Sequence, residues 1–213
     1  MPRFRCGGRG AGAPSLRASA VERWALRQLG SLDHEHRVAR IAAKLFELTR
    51  PLHGLTRRHR ATLRLAAVVH DVGRSIDDET HPQQGARLLR HARLPLSAAD
   101  RRALMFLTRY HRGRIPRPGE EKILRPQDDV ESLRILLACL RAADSLDSRV
   151  LESPRLAFAV RGRTLRITCA LERLTDKSLK VYGRRKKFRL LEELLDCRVE
   201  VNVIQSRSLR IAA

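Results

Sequence analysis

The sequence predicts a mainly α protein, a helical bundle over residues 18–150 followed by a small α+β appendix over residues 151–213. Three observations carry this. From Val21 to Ala143 the apolar residues recur at three- and four-residue spacing, the period of helices with one buried face. After Pro154 the period changes to alternation, and Arg161-Gly162-Arg163 stands between two alternating runs, as in a hairpin. The chain has 213 residues, 43% hydrophobic, enough for one large domain with an appendix, and with aromatics at only 4% Leu, Ala, Val and Ile must build the core.

Residues 1–17 form a basic tail rich in Gly, Ala, Pro and Arg, expected to be disordered. It has no apolar h-region and is no secretory signal, although an Arg-rich, acid-poor start would also suit a transit peptide. A first helix is expected over 18–29, with Val21, Trp24, Ala25 and Leu29 on one side and Gly30 as its stop. Asp33 reads as the N-cap of a second helix to about 49, with the stripe Val38, Ile41, Ala42, Leu45, Phe46. A third is expected over 56–70, a fourth from Pro82 to about 91, and a fifth from a Ser97 cap to Tyr110-His111. A Pro/Gly-rich loop, 113–126, leads to a sixth and most apolar helix, about 128–146. In the appendix, strands at 156–160 and 164–168 precede a basic amphipathic helical region over 176–195 and a last strand over 198–204.

The densest chemical signal is Ala66-Ala67-Val68-Val69-His70-Asp71-Val72-Gly73-Arg74. Gly73 suits a backbone that must leave the helix at once. A His and an Asp at the end of a buried helix are costly to desolvate unless something binds them, and a divalent metal takes one imidazole nitrogen and one carboxylate oxygen together. A capping His beside a solvated Asp is the competing account. His34 at the start of helix 2 and Asp144 at the end of helix 6 lie beside buried stripes in the same way, as do His81 and His111 at helix ends. His36 is set round the helix from His34, and His53, His59 and His91 read as surface residues.

Asp33-His34 with Val38-Ala39, then Val69-His70-Asp71-Val72-Gly73, then Ala142-x-Asp144, resemble the signature of HD-domain metal-dependent phosphohydrolases. With Tyr110-His111-Arg112, residues 136–147 and the hairpin-helix-strand tail, residues 18–204 are similar to the C-terminal HD-type domain of the exopolyphosphatase/guanosine pentaphosphatase family. The resemblance implies an HD-type helical bundle and one or two divalent metals (Mn, Fe, Mg or Zn). His34, His70, Asp71 and Asp144 would hold the first metal, and His81 and His111 would complete a second site, with Asp71 bridging. Asp71 and Arg112 then carry catalysis, and Arg74, Arg112 and Lys122 are the substrate-binding candidates. Only about fifteen residues precede the first expected helix, so the actin-like catalytic domain of that family is not expected here. Arg74-Ser75-Ile76 replaces the Glu-Asp pair that HD-type alarmone hydrolases carry after the motif.

The implied activity is metal-dependent hydrolysis of a phosphate ester or anhydride, in a nucleotide, polyphosphate or related polyanion; the alternative is a non-catalytic polyphosphate- or nucleic-acid-binding module. A net charge of +21 favours a polyanionic partner, but Arg is spread along the whole chain as GC-rich coding would spread it. The run Arg184-Arg185-Lys186-Lys187 reads as a solvated face. No apolar run reaches the ~18 residues of a membrane span. The four scattered cysteines, Cys6, Cys139, Cys169 and Cys197, form no CxxC pair and suit a reducing cytoplasm.

Overall fold

In the computed structural model the described residues are 16–206, so the basic tail lies outside them except for Leu16 and Arg17, which open the first helix. The chain is mainly helical, with a three-stranded sheet near its C-terminus. The bundle comprises α1 (Leu16–Leu29), α2 (Asp33–His53), α3 (Arg57–Val69), α4 (His81–His91), α5 (Ala98–Tyr110) and α6 (Val130–Ser145). Helix α6 is the axis. From Leu133 to Asp144 all but Arg134 are buried, and α2, α3 and α5 pack around it. Leu136, Leu137 and Leu140 are among its fully buried side chains, each contributing about 1.5–3 kcal/mol by leaving water.

The helix ends position the site, and several differ from the sequence expectation. Asp33 is the first residue of α2 rather than its cap; Leu32 holds the cap position, and Asp33 with Glu35 places acid in the first turn, where the helix dipole favours it. Helix α2 continues past 49 through Pro51 to His53 and stops where Gly54 adopts a left-handed φ of 63°. Ser97 caps α5 as expected, its side chain accepting the Asp100 N–H.

Gly73 does not supply the turn that ends α3. His70 and Asp71 already leave the helix, and Gly73 lies one step on, in a 3₁₀ turn (Val72–Ser75). It is needed because this turn sits against the start of α4: a Cβ on Gly73 would lie 2.1 Å from the His81 carbonyl oxygen and 2.5 Å from the Gly85 nitrogen. His53 and His59 are half-buried rather than free surface residues. His53 bonds the Phe46 carbonyl and packs its ring on Phe46, and His59 completes the N-terminal capping box of α3.

In the appendix β1 (Arg155–Arg161) and β2 (Thr164–Leu171) form the expected antiparallel hairpin around Gly162, and β3 (Arg198–Gln205) joins β2 in parallel. The helical stretch between them is broken: α7 (Asp176–Tyr182), a 3₁₀ turn at Arg185–Lys187, and α8 (Arg189–Leu195). Leu165, Ile167, Cys169 and Leu171 alternate inward on β2 and share one apolar core with Phe188 and Leu191 and with the bundle helices. That packing brings the 185–187 turn against α6, near Asp144. No helix of the described residues is long and apolar enough to cross a membrane.

Candidate metal centre

Three histidines are fixed by one local device. The Nδ1–H of His70 donates to the Ala67 carbonyl (2.7 Å), that of His81 to the Asp78 carbonyl (2.6 Å) and that of His111 to the Thr108 carbonyl (2.7 Å). In each case the acceptor lies three residues earlier, where a helix end or turn leaves a carbonyl unpaired. His34 instead directs Nδ1 at the Asp147 carboxylate, 2.7 Å away. With Nδ1 committed, every ring turns Nε2 inward, the arrangement in which a second partner orients a metal-binding imidazole.

The four Nε2 atoms converge on two buried carboxylates. His34 and His70 each stand 3.6 Å from Asp144 Oδ1. His70, His81 and His111 stand 3.6, 3.2 and 3.3 Å from Asp71 Oδ1. Two groupings are compact enough to hold an ion, His34–His70–Asp144 and His70–Asp71–His111, and they share His70.

The donor set fits cations. His70 Nε2 and Asp71 Oδ1 are buried without a hydrogen-bond partner, which is expensive unless something binds them. His81 Nε2 and His111 Nε2 are only 3.2 Å apart, and both rings have already spent their Nδ1–H, so two lone pairs face each other unless a proton or cation lies between them. Mixed imidazole and carboxylate donors suit the first-row divalent ions.

Electrostatics bind the cluster together. Burial alone would raise the Asp71 pKa, but His70, His111 and His81 outweigh it and hold the carboxyl well below its ordinary range. Asp144 is lowered too, the neighbouring imidazoles of His34 and His70 overcoming its burial. Burial lowers the pKa of His70, but Asp71, Asp144 and Glu35 overcome that and raise it to about 9. His111 moves the other way, to about 4, because its burial, with the neighbouring His70, outweighs the pull of the Asp71 and Asp144 carboxylates.

The centre opens into a cavity of about 680 Å3 lined by His34, Asp71 and Asp144 on its floor and by Arg74, Arg112, Arg149, Arg184 and Lys187 on its walls. Arg74 Nε donates to Asp71 Oδ2 (2.7 Å), and Arg112 Nε lies 3.5 Å from Asp144 Oδ2. The fold thus gathers His34, His70, Asp71, His81, His111, Asp144, Arg74 and Arg112. Lys122 is not among them; it lines a separate depression with Arg101 and Arg102, because residues 122–125, at the far end of the loop that starts at the cavity with Gly113, lie against α5.

The expectation of a solvated 184–187 run is corrected in part, since Arg184 and Lys187 face the cavity. Burial first, and then Arg141, Arg112 and Arg184, lower the Lys187 pKa against the pull of Asp144. Asp147, Glu35, Arg37 and Arg149 also belong to the site and were not singled out. Asp147 holds His34 and accepts Arg37 Nε at 2.9 Å; its place three residues after Asp144, just past the end of α6, is the available signal. Arg141, buried in α6, donates to the Tyr110 and Gly113 carbonyls and so fixes the segment carrying His111 and Arg112.

A helical bundle whose axial helix ends in a buried His/Asp cluster defines a protein with a candidate metal centre that opens into a cavity walled by Arg and Lys. Residues 16–179 of the 213 match the family described as Ppx/GppA phosphatase, domain III, and the chain belongs to that family. No curated protein matches the chain.

Proposed function

We propose that this chain is an HD-type metal-dependent phosphohydrolase acting on a phosphate ester or anhydride. The observation that carries the reading is the buried cluster with partnerless His70 Nε2 and Asp71 Oδ1, set under a cavity walled by Arg and Lys. His34, His70, Asp71 and Asp144 would hold one metal and Asp71, His81 and His111 a second. Bound there, a divalent cation supplies Lewis acidity toward a phosphoryl oxygen and an acidified water.

The chain's own residues supply the rest. Asp147 and the three backbone carbonyls hold the imidazoles in the tautomer that leaves Nε2 free. His111, lowered to about 4, is neutral at pH 7 and suited to ligation rather than to giving a proton. Arg112 presents a planar fork to phosphate oxygens, and Arg184 and Lys187, which line the same cavity, add charge. Burial chiefly, and then repulsion from Arg141, Arg112 and Arg184, lowers the Lys187 pKa, and an arriving phosphate opposes both effects.

The test is metal analysis of the purified protein with phosphate release from a substrate panel (nucleotides, polyphosphate, simple phosphate esters) in Mn, Mg and Fe. Metal-dependent release that His70→Ala and Asp71→Ala abolish, together with the bound metal, is the expected result. Wild-type metal content in both variants would refute the centre. A second reading, a polyanion-binding module without catalysis, draws on the neighbouring depression of about 510 Å3, where Arg184, Lys186 and Lys187 continue the cationic wall. It predicts salt-sensitive binding of polyphosphate or nucleic acid without turnover.

A further inference from the structure

Glu35 is the residue of this site that its neighbours do not explain. It follows His34 in the first turn of α2, is fully buried, and belongs to neither ion-sized grouping. One of its oxygens accepts from Arg149, and the other has no hydrogen-bond partner. A buried carboxylate is expensive, and an apolar side chain in its place would commonly cost nothing or stabilise the fold. Its one hydrogen-bonded partner among the described residues is an arginine from the irregular segment after α6 whose side chain is 32% exposed.

Arg149 is spread across the site. Its Nη2 donates to Glu35 Oε1 and its Nε to Asp71 Oδ2 at 3.0 Å, while Nη1 makes no hydrogen bond among the described residues and the side chain lines the cavity. Arg74 takes Asp71 Oδ2 as well, so the two guanidiniums occupy that oxygen and leave Oδ1 to the histidines. Two buried carboxylates thus fix the plane of Arg149 and leave its outer edge toward the cavity. Fixing a guanidinium in advance lowers the ordering cost of gripping an oxyanion.

We infer that Arg149 is an oxyanion-binding residue of the cavity and that Glu35 is its positioning residue, holding the guanidinium over the centre so that its free edge meets a phosphoryl oxygen. This rests on the phosphohydrolase reading and adds to it a contact and the buried group that sets it.

The experiment is calorimetric titration of inorganic phosphate into Mn-loaded full-length protein, with metal content and melting temperature recorded for every variant. Arg149→Gln should weaken phosphate binding about 10- to 100-fold, the range for losing a charge-assisted hydrogen bond. Arg149→Lys, which keeps the charge but lacks the fork, should recover only part of that. Glu35→Gln should weaken binding about 3- to 10-fold, and in the Arg149→Gln background it should add nothing, because it acts through that side chain. If Glu35 merely supports the fold, its effect persists in that background and the positioning role is overturned. Wild-type phosphate affinity in Arg149→Gln, with metal retained, overturns the contact alone. Wild-type protein that loads metal and binds no phosphate overturns the phosphohydrolase reading along with it.

Discussion

Gly73→Ala tests how the second half of the centre is assembled. A methyl at this position meets backbone on both sides, the His81 oxygen at 2.1 Å and the Gly85 nitrogen at 2.5 Å. Carbon packs comfortably on such atoms only beyond about 3.5 Å, so the 3₁₀ turn and α4 must part by roughly 1 Å. No rotamer change relieves the clash, because neither obstacle is a side chain. Overpacking of this kind costs about 1–3 kcal/mol. At about 2–4 °C per kcal/mol for a chain of this size, the melting midpoint should fall by about 2–12 °C. His81 begins α4 and moves with it, away from the Asp71 Oδ1 that it now approaches to 3.2 Å. Calorimetry with metal analysis should therefore show a lower midpoint and a stoichiometry falling from two toward one, since the His34–His70–Asp144 grouping lies on other elements. Gly85→Ala is the internal comparison. Its nearest obstacle is the Thr108 methyl at 2.7 Å, a side-chain atom, so the loss should be smaller. A Gly73→Ala protein with the wild-type midpoint and full metal content would refute both the packing argument and its link to His81.

Three further outcomes are expected. His81→Ala and His111→Ala should each lower metal stoichiometry from two toward one, while His36→Ala, on the exposed side of α2, should change nothing; equal stoichiometry in all three by metal analysis would contradict the second site. In metal-free protein His111 is held at about 4 against an ordinary 6.5, so the unfolded chain binds the extra proton between those values. Its contribution to stability is therefore present above pH 6.5 and lost as pH falls toward 4; denaturant melts across that range should lose this slope in His111→Gln. Lys187→Ala should weaken phosphate binding several-fold and flatten its salt dependence without altering metal content, and an unchanged affinity would return the 184–187 run to the solvated face first expected for it.

The helical plan was legible because each helix carries its own evidence. The stripes at Val38–Phe46 and Leu133–Ala143, the Ser97 cap and the change of period after Pro154 are local, and local periodicity is what burial on one face imposes. The ordered motifs at His34, His70-Asp71 and Asp144 were legible for the same reason: a polar group at the end of an apolar stripe is conspicuous. What the sequence could not give was anything set by two distant backbones meeting. Gly73 looked like a helix stop and is a contact surface for α4. Lys122 stands among the substrate-binding candidates, yet it lines a separate depression against α5, whereas Lys187, in a run expected to be a solvated face, is carried to Asp144 by the packing of the appendix on α6. Glu35 and Arg149 lie more than a hundred residues apart and make sense only as a pair. Residue type and spacing determine which groups stand at helix ends. Only the close packing of those helices decides which lone pairs face one another, which carboxylates are left without partners, and which cations surround them.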